Sequence, residues 1–322
     1  MSEDHEIAFG PVPSRRLGRS LGINNIPAKI CSYACVYCQL GQTLQLAQER
    51  KPFFAPDEIV QVVGEQVASA RRQGEPIDYL TFVPDGEPTL DRNLGGEIGR
   101  LKSLGIPIAV ISNASTIHRA EVQAELKQAD WVSLKVDAVW ESIWHRVNRP
   151  YGTLDLDQIL KGIREFADAF DGQLVTETML VAGVNDGEDH LRSLARVLGE
   201  IRPDTAYLAV STRPPAEPWV EIPNEDVINR AFQILSERLD SVGYLIGYEG
   251  NEFASTGDAA KDLLSITAVH PMRASAVDQL MERDSANWSV VDDLLDRDLL
   301  IETAYGGSMY YMRRLKSREQ KE

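Results

Sequence analysis

Outside one stretch of eight residues, this 322-residue chain contains no cysteine. Thiols so few and so closely spaced point to a reducing compartment, where metal or catalytic roles outrank disulfides. The chain also lacks any apolar run near the ~18 residues that would span a bilayer. Its N-terminus, Met1 to Glu6, is acidic and polar, without the charged-then-apolar pattern of a secretory leader. A cytoplasmic location and no membrane partner are the expectations. Positive charge is scarce: 33 basic residues face 49 acidic ones, a formal net charge of -16. A field of that sign repels phosphate backbones over most of the surface, which argues against nonspecific nucleic-acid binding. The five histidines are scattered, with no two at a ligand spacing, so none is assigned. No low-complexity tract occurs.

What is present is a packed globular composition, 43% hydrophobic and 25% charged, long enough for one large domain and a small one. Short β-rich runs alternate with amphipathic stretches. Strands are predicted at 21–23, 77–83, 106–111, 131–136, 174–181 and 206–210. Helices are predicted at 57–72, 94–104, 119–127, 154–170, 188–201 and 224–239. The helix at 57–72 has Pro56, Asp57 and Glu58 at its start and Gly74 at its exit. Strand–helix alternation repeated in this way reads as α/β with a parallel sheet, and the near-continuous apolar strands fit burial on both faces. Periodicity does not decide between an open sheet and part of a barrel. A second unit starts near residue 259, with short helices at 274–283 and 289–296 and a hairpin around Gly306-Gly307. Helix, helix, hairpin is the order of a small winged-helix module. The domains are therefore placed at 1–250 and 259–322.

In a parallel α/β sheet ligands gather at the carboxyl ends of the strands. Polar groups recur there: the cysteine loop, then Asp85-Gly86-Glu87-Pro88, Ser112-Asn113, Lys135 and Asp137, Glu177 and Thr178, and Ser211-Thr212-Arg213. Cys31, Cys35 and Cys38 can reach one inorganic centre. A four-iron cluster takes one ligand per iron, so three thiolates leave one iron open to a small molecule. The bland alternatives are buried structural thiols or zinc, but zinc commonly takes four ligands in paired Cys-x2-Cys units, and His5 and His118 are far away in sequence. Asp85-Gly86-Glu87-Pro88 reads equally as a plain turn, and Asn113 has a turn reading too. Lys135 sits in an apolar run, where it needs a partner, with Asp137 or Glu177 as candidates for a salt bridge. Arg146 and Arg149 read evenly as holders of an anionic substrate or as surface pairs. Arg15, Arg16, Arg19 and Lys29 make a basic approach to the cysteine loop, suited to an anionic substrate or an acidic electron donor, or simply to solvent.

Cys-x3-Cys-x2-Cys, with Tyr37 before the last cysteine and a position after the first strand, resembles the cluster motif of the radical S-adenosylmethionine (SAM) superfamily. The runs Gly10 to Gly18 and Cys35 to Gly41 resemble a branch related to the archaeal wyosine-base synthases, which modify a transfer RNA (tRNA). The resemblance covers roughly residues 9–248. It implies a partial (β/α)6 TIM-like barrel followed by the winged-helix-like module. It implies one [4Fe-4S] cluster on Cys31, Cys35 and Cys38, and SAM on the remaining iron. Gly86-Glu87-Pro88 is similar to the superfamily's Gly-Gly-Glu segment, with Asp85 in place of the first glycine. Tyr37, Gly86, Glu87, Asn113, Ser133 and Lys135 are the implied cofactor contacts; no catalytic residue is assigned.

The implied reaction is reductive cleavage of SAM to a 5′-deoxyadenosyl radical that removes hydrogen from a substrate. The implied electron donor is a reductant such as flavodoxin or ferredoxin. The substrate class stays open among small molecule, protein and tRNA. The wyosine relatives carry a second cluster on upstream cysteines, which this chain lacks, and its acidic balance also argues against a polyanionic partner. The basic tail, Arg313, Arg314, Lys316, Arg318 and Lys321, points weakly the other way. The alternatives are tRNA-base modification, an activating enzyme acting on a partner protein, and a non-catalytic iron–sulfur redox sensor.

Overall fold

A hairpin opens the fold, and only its second strand was expected. β1 (Ala8–Ser14) pairs antiparallel with β2 (Gly18–Ile23). Gly10, Pro11 and Pro13 hide β1 from a reading based on propensity, and proline is tolerated there because β1 is an edge strand. The computed structural model describes residues 7–247, 253 and 257–314. The acidic N-terminus, most of the junction between the two expected domains, and Lys316, Arg318 and Lys321 lie outside the described residues.

After β2 come the short parallel pair β3 (Ile30–Cys31) and β4 (Gln45–Leu46). The alternating series follows: α1 (Pro56–Gln73), β5 (Tyr79–Phe82), α2 (Leu94–Leu101), β6 (Ile108–Ser112), α3 (Ala120–Leu126) and β7 (Trp131–Lys135). It continues with α4 (Glu141–Val147), α5 (Leu156–Ala167), β8 (Gln173–Met179), α6 (Glu188–Ile201), β9 (Thr205–Ala209), α7 (Glu225–Ser236) and β10 (Val242–Leu245). The sheet order is β1-β2-β5-β6-β7-β8-β9-β10, parallel from β2 onward. Its end strands, β1 and β10, do not pair with each other, so this is a partial barrel. β2, β5, β6, β7, β8 and β9 are the six expected strands. β10 was missed because Val242-Gly243-Tyr244-Leu245 is short, glycine-broken and half exposed.

α1 shows how local chemistry fixes an element. Pro56 sits in its first turn, Asp57 and Glu58 face the positive end of its dipole, and Gly74 closes it with φ 72°. Ile59, Val63 and Val67 then bury one face against Leu21, Leu80, Phe82 and the other strands of the main core. The inner face of the sheet is plugged at its lower end by Leu17, from the β1–β2 turn, against Ala109, Trp131 and Val175. That plug leaves the upper end, at the carboxyl ends of the strands, for a site.

The second unit contains α8 (Ala259–Val269), β11 (Met272–Arg273), α9 (Ala274–Arg283), α10 (Ser289–Asp296), β12 (Leu300–Tyr305) and β13 (Ser308–Arg313). The two expected helices and the hairpin are present, with β11 added to give a three-stranded sheet in the order β11-β13-β12. Its core takes in Phe9 and Val12 from β1, and Leu40 and Val83 pack against it.

Candidate active site

The cysteine loop is pinned at both ends and in the middle. Ile30 bridges Gly86, and Cys31 pairs with Leu46. The Ala34 and Val36 amides donate to the carbonyls of Asn148 (3.0 Å) and Val147 (2.9 Å), and Tyr151 N donates to Ser32 O (2.8 Å). Cys38 N reaches back to Cys35 O at 3.1 Å, turning the chain so that all three thiols stay partly open. Gly86 is required by close approach: a β-carbon there would lie 2.0 Å from the Ile30 carbonyl oxygen. The turn at Asp85 to Pro88 thus seats the cysteine loop. Lys29 strengthens the seat, with its Nζ 3.0 Å from Asp85 Oδ2.

Burial pushes all three thiols up. Cys31 is raised further by Cys35, and Cys35 reaches about 12 with Asp137 adding to the effect, while Lys29 partly offsets the rise at Cys38. Thiols in this state bind metal by releasing protons. Two amides aim at the sulfurs: Asn113 Nδ2 lies 3.5 Å from Cys31 Sγ, and Asn148 Nδ2 lies 3.5 Å from Cys35 Sγ. Among the described residues no three His, Cys, Asp or Glu side chains converge closely enough for a single ion. A cluster uses one thiolate per iron and spreads its ligands.

Glu87 is buried and accepts from Thr89 N (3.0 Å), Thr89 Oγ1 (2.6 Å), Ser112 Oγ (2.7 Å) and Asn113 N (2.7 Å). Burial raises its carboxyl, and these donors oppose the rise. Its carboxylate thus ties the end of β5 to the end of β6 and sets Asn113, whose Nδ2 donates to Ser32 Oγ at 2.9 Å. Lys135 is bonded to Glu177, one of the two partners expected from sequence, and lies 5.1 Å over the Tyr37 ring. Burial alone would raise Glu177, but Arg16 and Lys135 bring it down to about 2. Ser133 is buried and receives Arg16 Nη1 at 3.4 Å. Tyr37 donates to Asp137, which also accepts from Asn148 (2.7 Å) and Met179 N (2.7 Å).

Above the plug lies a cavity of about 290 Å³. Of the expected cluster and SAM contacts, Tyr37, Cys38 and Lys135 line it, as do Arg15, Arg16, Glu177 and Ser211 to Arg213; Cys31, Cys35, Gly86, Glu87, Asn113 and Ser133 do not. Arg149 instead pairs with Glu217 on the surface. Sequence reasoning missed the Arg16–Glu177 pair and the bonds from Arg213 to Gln39 (2.5 Å) and to His270. Arg213 was visible as a strand-end residue, but His270 carried no signal, because its partner is 57 residues away.

Residues 25–195 match the radical SAM superfamily. A UPF0026 protein of Methanocaldococcus jannaschii is 42% identical over 315 residues, covering 97% of this chain and 98% of its own length. Among solved structures, a radical SAM methyltransferase from Sphaerobacter thermophilus shares the fold with TM-score 0.53 and 20% identity, over 70% of this chain and 66% of its own. A TYW1 with a lysine-pyruvate adduct bound shares it with TM-score 0.50 and 15% identity, over 69% and 74%. The chain belongs to the radical SAM superfamily, whose members are enzymes built around one [4Fe-4S] cluster and SAM.

Proposed function

We propose that Cys31, Cys35 and Cys38 hold three irons of the cluster and leave the fourth for SAM, and that the chain uses this centre to start a radical reaction on a substrate held in the cavity. When bound, the pair supplies reductive cleavage of SAM to methionine and a 5′-deoxyadenosyl radical, with the electron coming from a reductant of the flavodoxin or ferredoxin class. The single observation that carries the reading is the pinned loop with its three partly buried thiols, two of them met by amide donors. Hydrogen bonds to cluster sulfurs tune the reduction potential. The remaining work falls to the protein's own side chains. Glu87 and Asn113 fix the loop from one side, Asn148 and Asp137 from the other, and the Leu17 plug keeps water from entering below.

Gly86, Glu87, Asn113, Ser133, Tyr37 and Lys135 belong to this proposal as the SAM-facing set. Glu87 contributes chiefly by placing Asn113, and Lys135 offers a cation steadied by Glu177 and Tyr37. The division into a catalytic unit at 1–250 and a winged-helix-like unit at 259–322 is also proposed. It is supported by the second unit's own three-stranded sheet, β11-β13-β12. The test is anaerobic reconstitution of the full chain with iron and sulfide, followed by SAM and dithionite. Formation of 5′-deoxyadenosine and methionine is expected; absence of both in iron-loaded protein overturns the reading.

A further inference from the structure

The Lys29–Asp85 pair is more than the seat of the cysteine loop requires. Main-chain bonds already fix the turn against the loop: Lys29 N donates to Asp85 O (2.7 Å), Glu87 N donates to Ile30 O (3.3 Å), and Ile30 bridges Gly86. The side chains add an ion pair, Lys29 Nζ to Asp85 Oδ2 at 3.0 Å, with both residues buried. Such a pair contributes little net stability, because taking both charges out of water cancels most of their attraction. The backbone is also unfavourable for a long side chain: Lys29 has φ 66°, in the left-handed region that suits glycine or asparagine. Asp85 in turn stands where the Gly-Gly-Glu pattern has its first glycine. Neither the seat nor stability accounts for a lysine and an acid at these places.

The surroundings of the ammonium supply a reason. Lys29 Nζ lies 4.0 Å from where a β-carbon on Gly41 would stand. Gly41 N donates to Cys38 O at 3.1 Å and so closes the turn that carries the third thiol. The Lys29 carbonyl accepts from Leu44 N (3.2 Å) and Gln45 N (3.0 Å), just before β4 pairs with the strand of Cys31. The lysine is thus enclosed by the turn after Cys38, the strand beside Cys31 and the turn at Asp85. Burial raises the Cys38 thiol; Lys29 acts against that rise, and Asp85 adds to it less strongly than Lys29 opposes it. Both charges are therefore felt at the sulfur, and the cation prevails. Reduction of a cluster adds negative charge, which a nearby cation favours and a nearby anion opposes.

We propose that Lys29 sets the reduction potential of the cluster on Cys31, Cys35 and Cys38: its ammonium, held over the Cys38 turn, favours the reduced state, and Asp85 positions that ammonium and moderates its charge. This inference rests on the cluster reading above. A parent chain that takes up no iron ends both. A loaded cluster that cleaves SAM but does not respond to the pair ends this one alone.

The experiment is spectroelectrochemical titration of the full, cluster-loaded chain without SAM, with iron content and circular dichroism measured for each variant. K29Q should move the potential to more negative values and D85N to more positive ones. K29R keeps the charge and should stay near the parent. The double variant K29Q/D85N, neutral at both places, should lie between the single variants and below the parent. Opposite signs from two variants that break the same ion pair separate charge from loosening of the loop, which moves both the same way. The control for the frame is Y305F. Tyr305 donates to Ser211 O (2.9 Å) and Tyr310 to Thr212 O (2.7 Å), a tyrosine latch on the loop after β9, where Ser211 and Thr212 line the cavity. Y305F alters that frame without altering charge and should keep the parent potential. Equal potentials in the parent, K29Q and D85N overturn the inference, as do shifts of one sign in both, or a shift in Y305F as large as in K29Q. Should a single variant take up no iron, K29R and the double variant decide: K29R at the parent potential with the double variant below it supports the proposal, and any other order overturns it.

Discussion

At the scale of single residues, the site depends on groups that seat the cysteine loop more than on groups exposed in the cavity. Gly86 is the sharpest case, because any side chain there meets the Ile30 carbonyl. Gly86→Ala is expected to cost about 1–3 kcal/mol and to lower iron content after reconstitution, as read by urea unfolding and iron analysis. Glu87 accepts four hydrogen bonds in a buried position. Glu87→Gln keeps one acceptor oxygen and turns an amide toward donors, which should cost about 1–3 kcal/mol. Replacing Asn113 or Asn148 by Leu removes a donor from a cysteine sulfur. Both variants are expected to take up iron but to shift the cluster's reduction potential to more negative values, measured by spectroelectrochemistry. An unchanged potential in both would remove the amides from the account.

At the scale of elements, α2 carries a buried acid that makes stability depend on pH. Glu97 faces Asp91, at the end of the 3₁₀ turn Pro88–Leu90. Burial, with the Asp91 charge adding, pushes Glu97 up to about 9. The folded chain then holds a proton that the unfolded chain releases near the ordinary carboxyl range. Stability should therefore fall as pH rises from about 4.5 to about 9, and level off above. Glu97→Gln removes this slope. Its thermal melting point should draw progressively above that of the parent chain between pH 5 and pH 9, and a constant gap would refute the assignment. The elements also show what a sequence can reveal. The six parallel strands were legible because burial on both faces leaves continuous apolar runs. β1 was hidden by its prolines and β10 by Gly243, since edge strands need neither an unbroken run nor full burial. The cysteines were legible because their ligand pattern is local. The Gln39–Arg213–His270 chain was not, because it joins residues 174 and 57 positions apart.

At the scale of the whole molecule, the two units are not independent. The β1 hairpin belongs to the barrel sheet through β2, yet Phe9 and Val12 bury into the core of the second unit. Ending the chain at residue 247 would leave both side chains uncovered. Burial of two such groups stabilises by roughly 3–5 kcal/mol, so the shortened chain should melt at a lower temperature and self-associate, as read by calorimetry and sedimentation. A shortened chain that melted with the full one would show that the second unit is an appendage. The same hairpin sends Leu17 into the floor of the barrel and Arg16 to Glu177. One sequence segment thus closes the lower end, charges the interior and anchors the second unit.

The tyrosine latch has a consequence for how such a protein could diversify. Tyr305 and Tyr310 grasp main-chain oxygens of Ser211 and Thr212, not their hydroxyls. The grip is blind to which amino acids occupy those two places. Ser211 and Thr212 could be exchanged to suit a new guest while the frame around them kept its shape.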